Sequence, residues 1–140
     1  MTARVLAIYL FTCVFMFCGC DQPQANKISP TKAIHPELKE GLFNVAFLIM
    51  DGVYNTELTA PFDIFHHTIF RDSIKAMNVF TVSKESGYVK TFEGIHIVPD
   101  FNYQTDSLPP IDILIVPSAE HHMDSDLEDE VMLDFVSQTA

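Results

Sequence analysis

Two periodicities alternate along the chain from residue 43 onward. Phe43 to Met50 (FNVAFLIM) is a near-continuous apolar run, short and rich in Val, Ile and Phe. Such a run predicts a strand buried on both faces. Asp51-Gly52 ends it with a turn signal. From Thr56 to Phe70 the spacing lengthens. Leu58, Phe62, Phe65 and Ile69 fall on one face of a helix. Pro61 is expected in the first turn of that helix, where a missing N–H costs little. Met77 to Ser83 (MNVFTVS) predicts a second strand. Tyr88 to Phe92 and Ile95 to Val98 flank Glu93-Gly94 and predict a hairpin. After Pro109-Pro110, Ile111 to Val116 (IDILIV) reads as another buried strand. A last helix follows, with Ser125-x-x-Glu128 as a capping box. Leu127, Val131, Met132, Phe135 and Val136 form its apolar stripe. The order is β-α-β, hairpin, β-α. It predicts an α/β fold with a mostly parallel sheet, helices on both faces and a β-hairpin insertion.

The first 42 residues follow neither period. Arg4 precedes an uncharged apolar run from Val5 to Phe17. The run is too short for a bilayer, which needs roughly 20 apolar residues, and it fits a secretory signal peptide. Phe17-Cys18-Gly19-Cys20 resembles a bacterial lipobox, whose last Cys carries the lipid. Residues 1–20 are therefore expected to be a signal peptide, with Cys20 as the lipidation site and membrane anchor. An ordinary signal peptide cut nearby, or an uncleaved anchor, is the alternative. Residues 21–42 are polar and hold Pro23, Pro30 and Pro36, which predicts a flexible linker. Residues 43–140 form the expected domain. The protein is expected to be exported and to face the periplasm as a membrane-anchored lipoprotein.

Composition narrows the function classes. The 140 residues carry a formal net charge of −11, which repels phosphate backbones and argues against nucleic-acid binding. All three cysteines, Cys13, Cys18 and Cys20, precede residue 21. The expected domain thus has no disulfide, thiolate metal site or cysteine nucleophile.

The stretch Asn44 to Phe65 (NVAFLIMDGVYNTELTAPFDIF) resembles the opening of the DJ-1/PfpI (ThiJ/PfpI) family, within the class I glutamine amidotransferase-like superfamily. Thr91-Phe92-Glu93-Gly94-Ile95 and Val98-Pro99-Asp100 resemble the hairpin of that family and the loop after it. Ile111 to Pro117 resembles its next strand. Isonitrile hydratase-like members and the amidase-like domains of certain regulators are the nearest subgroups. The resemblance implies a partial flavodoxin-like sandwich. It also implies a hydrolase, hydratase or amidotransferase-like activity on a small molecule, with no cofactor. Family members commonly dimerise, so a homodimer is a partner the resemblance allows.

The family's nucleophilic Cys stands at a strand-to-helix elbow, which in this chain would fall beyond Ala140. The 140 residues are accordingly expected to be inactive as they stand. Glu57 matches the family carboxylate that hydrogen-bonds the Cys sulfur, a group suited to acid/base work in a partly dry pocket. Read alone, Glu57 is an acid favoured by a helix N-terminus. Many members have Gly-Gly after the strand's Pro, where backbone N–H groups help build an oxyanion hole. Ser118 and Ala119 occupy that place. Ser118 is equally a turn residue or cap.

His66-His67 and His121-His122 raise the question of a metal. Adjacent helical residues point about 100° apart, and the spacings match no zinc signature, so no metal is expected. His121 follows the Pro117 strand, at the sheet's carboxyl end, and is expected to line a pocket. Two other readings stand beside the enzyme: a membrane-tethered sensor or binding module without catalysis, and a gene fragment with no independent function.

Overall fold

The computed structural model of the protein describes residues 35–139. The expected signal segment and Cys20 lie outside the described residues. Strand β1 (Phe43–Leu48) leads through a turn into helix α1 (Asn55–His66), and a 3-10 turn (His67–Phe70) returns the chain to β2 (Met77–Ser83). A short hairpin follows, β3 (Val89–Lys90) and β4 (His96–Ile97), then β5 (Phe101–Asn102), β6 (Ile113–Ile115) and helix α2 (Glu130–Thr139).

Four strands form one parallel sheet in the order β5-β2-β1-β6. In register, Val45 lies opposite Val79 and Ile113. The hairpin is a separate antiparallel ribbon. The α/β class, the parallel sheet and the hairpin insertion expected from the pattern are all present.

Residues 45–50 are buried without a break, as a central strand covered on both faces requires. Phe47 packs against Phe62 and Phe65 of α1, with ring centroids 5.2 and 6.1 Å away. Phe80 meets Phe101 at 5.2 Å. Phe47 and Phe80 are wholly buried, and each such side chain contributes roughly 1.5–3 kcal/mol. On α2, Phe135 stacks on Tyr103 at 4.4 Å and Met132 is buried.

Several expected boundaries move. The helix starting near residue 56 ends at His66, and the tighter turn that follows throws Ile69 out to solvent. Pro61 lies inside α1 rather than in its first turn. Its missing N–H leaves the Glu57 carbonyl without the usual i−4 donor. The strand expected over Ile111 to Val116 shortens to three residues. Ser125–Glu128 is a 3-10 turn and not the start of the last helix. Asp129 caps α2 instead, its Oδ1 accepting the Met132 N–H at 3.1 Å. Leu127 and Val131, placed in the apolar stripe by the pattern, are exposed.

Residues ahead of β1 also touch the domain. The His35 ring stacks on Phe101 at 4.5 Å. The Lys39 N–H and C=O both bond the Asn78 side chain, at 2.9 and 3.0 Å. The buried Asn78 amide also bonds Asn44 Oδ1 at 2.8 Å, so this polar side chain is paired on every side.

Candidate functional site

The sheet defines where a site belongs. From β1 the chain works outward through β2 to β5, and β6 then pairs on the other side of β1. The topological switch therefore lies between β1 and β6, and open α/β sheets bind ligands at the carboxyl ends of the strands there. Two loops meet at that point, residues 49–54 after β1 and residues 116–124 after β6.

Backbone hydrogen bonds zip these loops together. Val53 and Ala119 form an antiparallel bridge. The Glu120 N–H donates to the Gly52 carbonyl at 3.0 Å, and the Tyr54 N–H donates to the Ser118 carbonyl at 3.0 Å. Gly52 has φ +81°, and a Cβ there would lie 3.0 Å from the Glu120 Cβ, so both conformation and space select glycine. The hairpin closes over the same point. The Gly52 N–H donates to Lys90 O at 2.8 Å and the Phe92 N–H to Val53 O at 3.0 Å. The Lys90 N–H in turn donates to Asp51 Oδ1 at 2.8 Å.

Glu57 stands in the first turn of α1, exposed to solvent. No hydrogen bond among the described residues joins its carboxylate to Ser118 or His121. The N-terminal donors of α1 draw on the hairpin as well: the Asn55 N–H donates to Glu93 Oε2 at 3.1 Å. In the sequence Glu93 reads only as part of a turn. Nothing local shows that it caps a helix 38 residues earlier.

Ser118 is exposed and Ala119 is buried. The Ala119 N–H points at His122 Nδ1, 3.3 Å away. Two of the backbone donors in the region expected to serve an oxyanion thus already have acceptors, His122 for Ala119 and Gly52 for Glu120. The bond also fixes the His122 tautomer. Nδ1 must accept, so the proton sits on Nε2. That atom faces Asp126 Oδ2 at 3.9 Å, and both atoms are buried without a hydrogen-bond partner.

His121 turns the other way, between carboxylates, with Nδ1 3.4 Å from Asp124 and Nε2 3.8 Å from Glu120. The Ser125 backbone N–H is the main cause holding the Asp124 carboxyl below its ordinary range. His121 also lines a cavity of about 120 Å³ at the carboxyl ends of β1 and β2. Asp51, Lys84, Tyr103, Asp126 and Asp129 share its wall. The Asp129 side chain accepts from Lys84 Nζ. This contact holds the Asp129 carboxyl down and the Lys84 ammonium up. Burial, reinforced by Asp129 and Glu85, pushes the Tyr103 hydroxyl up to about 12.

The fold therefore separates the expected residues. Glu57, Ser118 and Ala119 lie around the start of α1, while His121 lines the acidic cavity at the carboxyl ends of β1 and β2. His66 and His67 diverge too. His66 lies against the Phe62 ring at 4.8 Å, and His67 Nδ1 approaches the Asp63 carbonyl at 2.8 Å. Among the described residues, no three His, Cys, Asp or Glu side chains converge as a metal site would require.

No family model and no curated protein matches the chain. Solved structures do. The chain is similar to a ThiJ/PfpI family protein from Bacillus anthracis, at 18% identity over 71% of this chain and 48% of that one, with a TM-score of 0.52. A THiJ/PfpI family protein from Pseudomonas syringae aligns at 20% identity over 78% of this chain and 46% of that one, TM-score 0.52. A candidate transcriptional regulator from Vibrio parahaemolyticus gives 17% identity over 70% and 51%, TM-score 0.55. The class is thus an α/β domain with a switch-point crevice, and its fold is the one these ThiJ/PfpI proteins share. The chain spans about half the length of the structures it matches.

Proposed function

We propose that residues 43–140 belong to a DJ-1/PfpI-type domain and that their switch-point crevice takes a small molecule without a thiol of their own. One observation carries this reading. The loops after β1 and β6 meet at the start of α1, where Val53 bridges Ala119 and the Tyr54 N–H donates to the Ser118 carbonyl, and residues 43–140 hold no cysteine. A carboxylate at a helix start, such as Glu57, can hold or pass a proton for a bound molecule. The committed Ala119 and Glu120 N–H groups favour binding over acyl transfer, since an oxyanion would have to displace His122 and Gly52 first.

The test is a titration of the isotope-labelled protein with small amides, nitriles and carbonyl compounds. Shifts confined to residues 49–57 and 117–122 support the reading. Shifts confined to other surfaces would remove it. Turnover that alkylation of thiols abolishes would also overturn it.

Export is the second part of the reading. It rests on the apolar run from Val5 to Phe17 and on Gly19-Cys20. A lipid on Cys20 would anchor the domain to a membrane, facing the periplasm. Replacing Cys20→Ser is expected to move the protein from the membrane fraction to the soluble fraction. Unchanged fractionation would count against lipidation.

A further inference from the structure

We propose that His122 is a proton-operated gate on the crevice. Protonated, it frees the Ala119 N–H and lets the crevice take a small oxyanion such as a carboxylate; neutral, it keeps that donor occupied. The proposal rests on the crevice reading above and adds to it the charge of the ligand and the condition under which it enters.

Three contacts define the gate. The Ala119 N–H donates to His122 Nδ1 at 3.3 Å. The His122 backbone N–H donates back to the Ala119 carbonyl at 3.4 Å, so ring and peptide are held within one turn. Across the ring, Nε2 lies 3.9 Å from Asp126 Oδ2, too far for a hydrogen bond. Both of these atoms are buried and lack a hydrogen-bond partner among the described residues.

An imidazole with a proton on each nitrogen cannot accept a hydrogen bond. A proton on Nδ1 therefore sets two donors against each other at 3.3 Å, and the bond to Ala119 breaks. The same proton makes the ring a cation and draws it toward the Asp126 carboxylate. One ring movement closes the 3.9 Å gap, pairs both orphaned atoms and releases the Ala119 donor. Ala119 is buried, so its N–H is costly to leave unpaired and selects an oxygen from a ligand. The His122 side chain is 26% exposed, so the place that the ring vacates opens to solvent.

Charge sets the sign of the coupling. The loop of His122 carries Glu120 and Asp124, both turned to His121. The 3-10 turn supplies Asp126. Around the cavity that Asp126 lines stand Asp51 after β1, Lys84 and Glu85 after β2, and Asp129 before α2, with Lys84 held by Asp129. While His122 is neutral, these acids repel an anion. The imidazolium places a positive charge beside the freed N–H and offsets the nearest acid. Proton and anion therefore enter together, and each raises the affinity for the other by the same factor.

The probe is sodium formate, titrated into the full-length, isotope-labelled protein at about pH 5.5 and about pH 8, the range over which imidazoles change charge. The Ala119 amide is expected to shift with formate at the lower pH, with an affinity about fivefold or more above that at the higher pH. Saturating formate is expected to raise the pH midpoint of the His122 ring resonances, a readout that needs no variant. His122→Gln keeps an acceptor for the Ala119 N–H but cannot take the proton, and should bind formate weakly at both pH values. Asp126→Asn deprives the imidazolium of its partner and should move the formate dependence to lower pH. Formate binding at residues 117–122 with equal affinity at both pH values, or a His122 midpoint that formate does not move, overturns the gate and leaves the crevice reading intact. Formate shifts confined to other surfaces do the same. A pH dependence that persists in His122→Gln, or that stays in place in Asp126→Asn, assigns the coupling to other groups and overturns the proposal. If neither formate nor small carbonyl compounds shift residues 49–57 and 117–122 at either pH, the gate and the crevice reading both fall.

Discussion

Gly52 shows how closely the crevice depends on single residues. Its φ of +81° and the 3.0 Å approach to the Glu120 Cβ leave no room for a side chain. Gly52→Ala is expected to cost about 1–3 kcal/mol, read as a lowered urea midpoint with an unchanged slope. Asp129 offers a separable case because it both caps α2 and pairs with Lys84. Asn keeps the cap, so Asp129→Asn removes only the ion pair and should cost about 0.5 kcal/mol, the pair being partly exposed. Asp129→Ala removes both and should cost about 1–2 kcal/mol. Equal losses for the two variants would show that the cap contributes nothing. The pH dependence follows from the directions of the shifts. The folded-state Asp129 carboxyl is depressed, so its contribution is present above the ordinary carboxylate range and lost as pH falls through the depressed value. Lys84 is raised, so its contribution is complete below the ordinary lysine range and lost as pH climbs through the raised value. The stability gap between wild type and Lys84→Met should therefore be widest near neutrality and close at both extremes. A gap that stays constant across the acid limb would discard the ion pair as its cause.

At the scale of elements, what could be read in advance was what local pattern controls. The run Val45 to Met50 and the spacing Leu58, Phe62, Phe65 declared a central strand and a packed helix, because burial of one face dictates the period. What escaped was decided at long range. β5 is two residues long and exists because Asp100 locks it to β2. The Asp100 carboxylate accepts from the Thr81 N–H at 2.7 Å and the Thr81 Oγ1 at 2.9 Å, and the Asp100 N–H donates back to Oγ1 at 2.9 Å. No window of the sequence pairs residue 81 with residue 100. The Glu93 cap on α1 and the His122 bond to Ala119 were hidden for the same reason. The 3-10 turn at Ser125 was missed because a capping-box pattern was present while Asp129 offered the better cap. Ser118, Ala119 and His121 all follow β6, but that His121 lines the cavity at the carboxyl ends of β1 and β2 while Ser118 and Ala119 bond to the loop after β1 was not visible in the sequence. Asp100→Ala tests the lock. It strands a buried Thr81 N–H and should cost about 1.5–3 kcal/mol, with amide exchange at Phe101 and Asn102 accelerating before that of β1. Uniform acceleration across the sheet would mean that β5 has no local lock.

Among the described residues the four-stranded sheet ends in two edges, β5 and β6, and they differ in protection. The β5 edge is two residues long, and the His35 ring stacks on its Phe101. The β6 edge exposes Ile113 and Val116, and no charged residue falls between Asp112 and Glu120. Natural sheets blunt such edges with charge, bulges or proline. Here Pro110 and Pro117 bracket the strand and limit its free backbone to a few groups. The high net negative charge opposes association over long range, and salt screens that opposition over roughly 8–10 Å. Self-association through β6 should therefore be weak at low ionic strength and grow as salt is added, the reverse of an ion-pair interface. Sedimentation velocity at two salt concentrations reads this directly. Val116→Lys adds a cation to the edge and should return the high-salt sample toward monomer without lowering the unfolding midpoint, because Val116 is already solvent-exposed. If the wild type remains monomeric in high salt at the highest concentration reached, the prolines alone protect the edge. If Val116→Lys associates as strongly as the wild type, association runs through another surface.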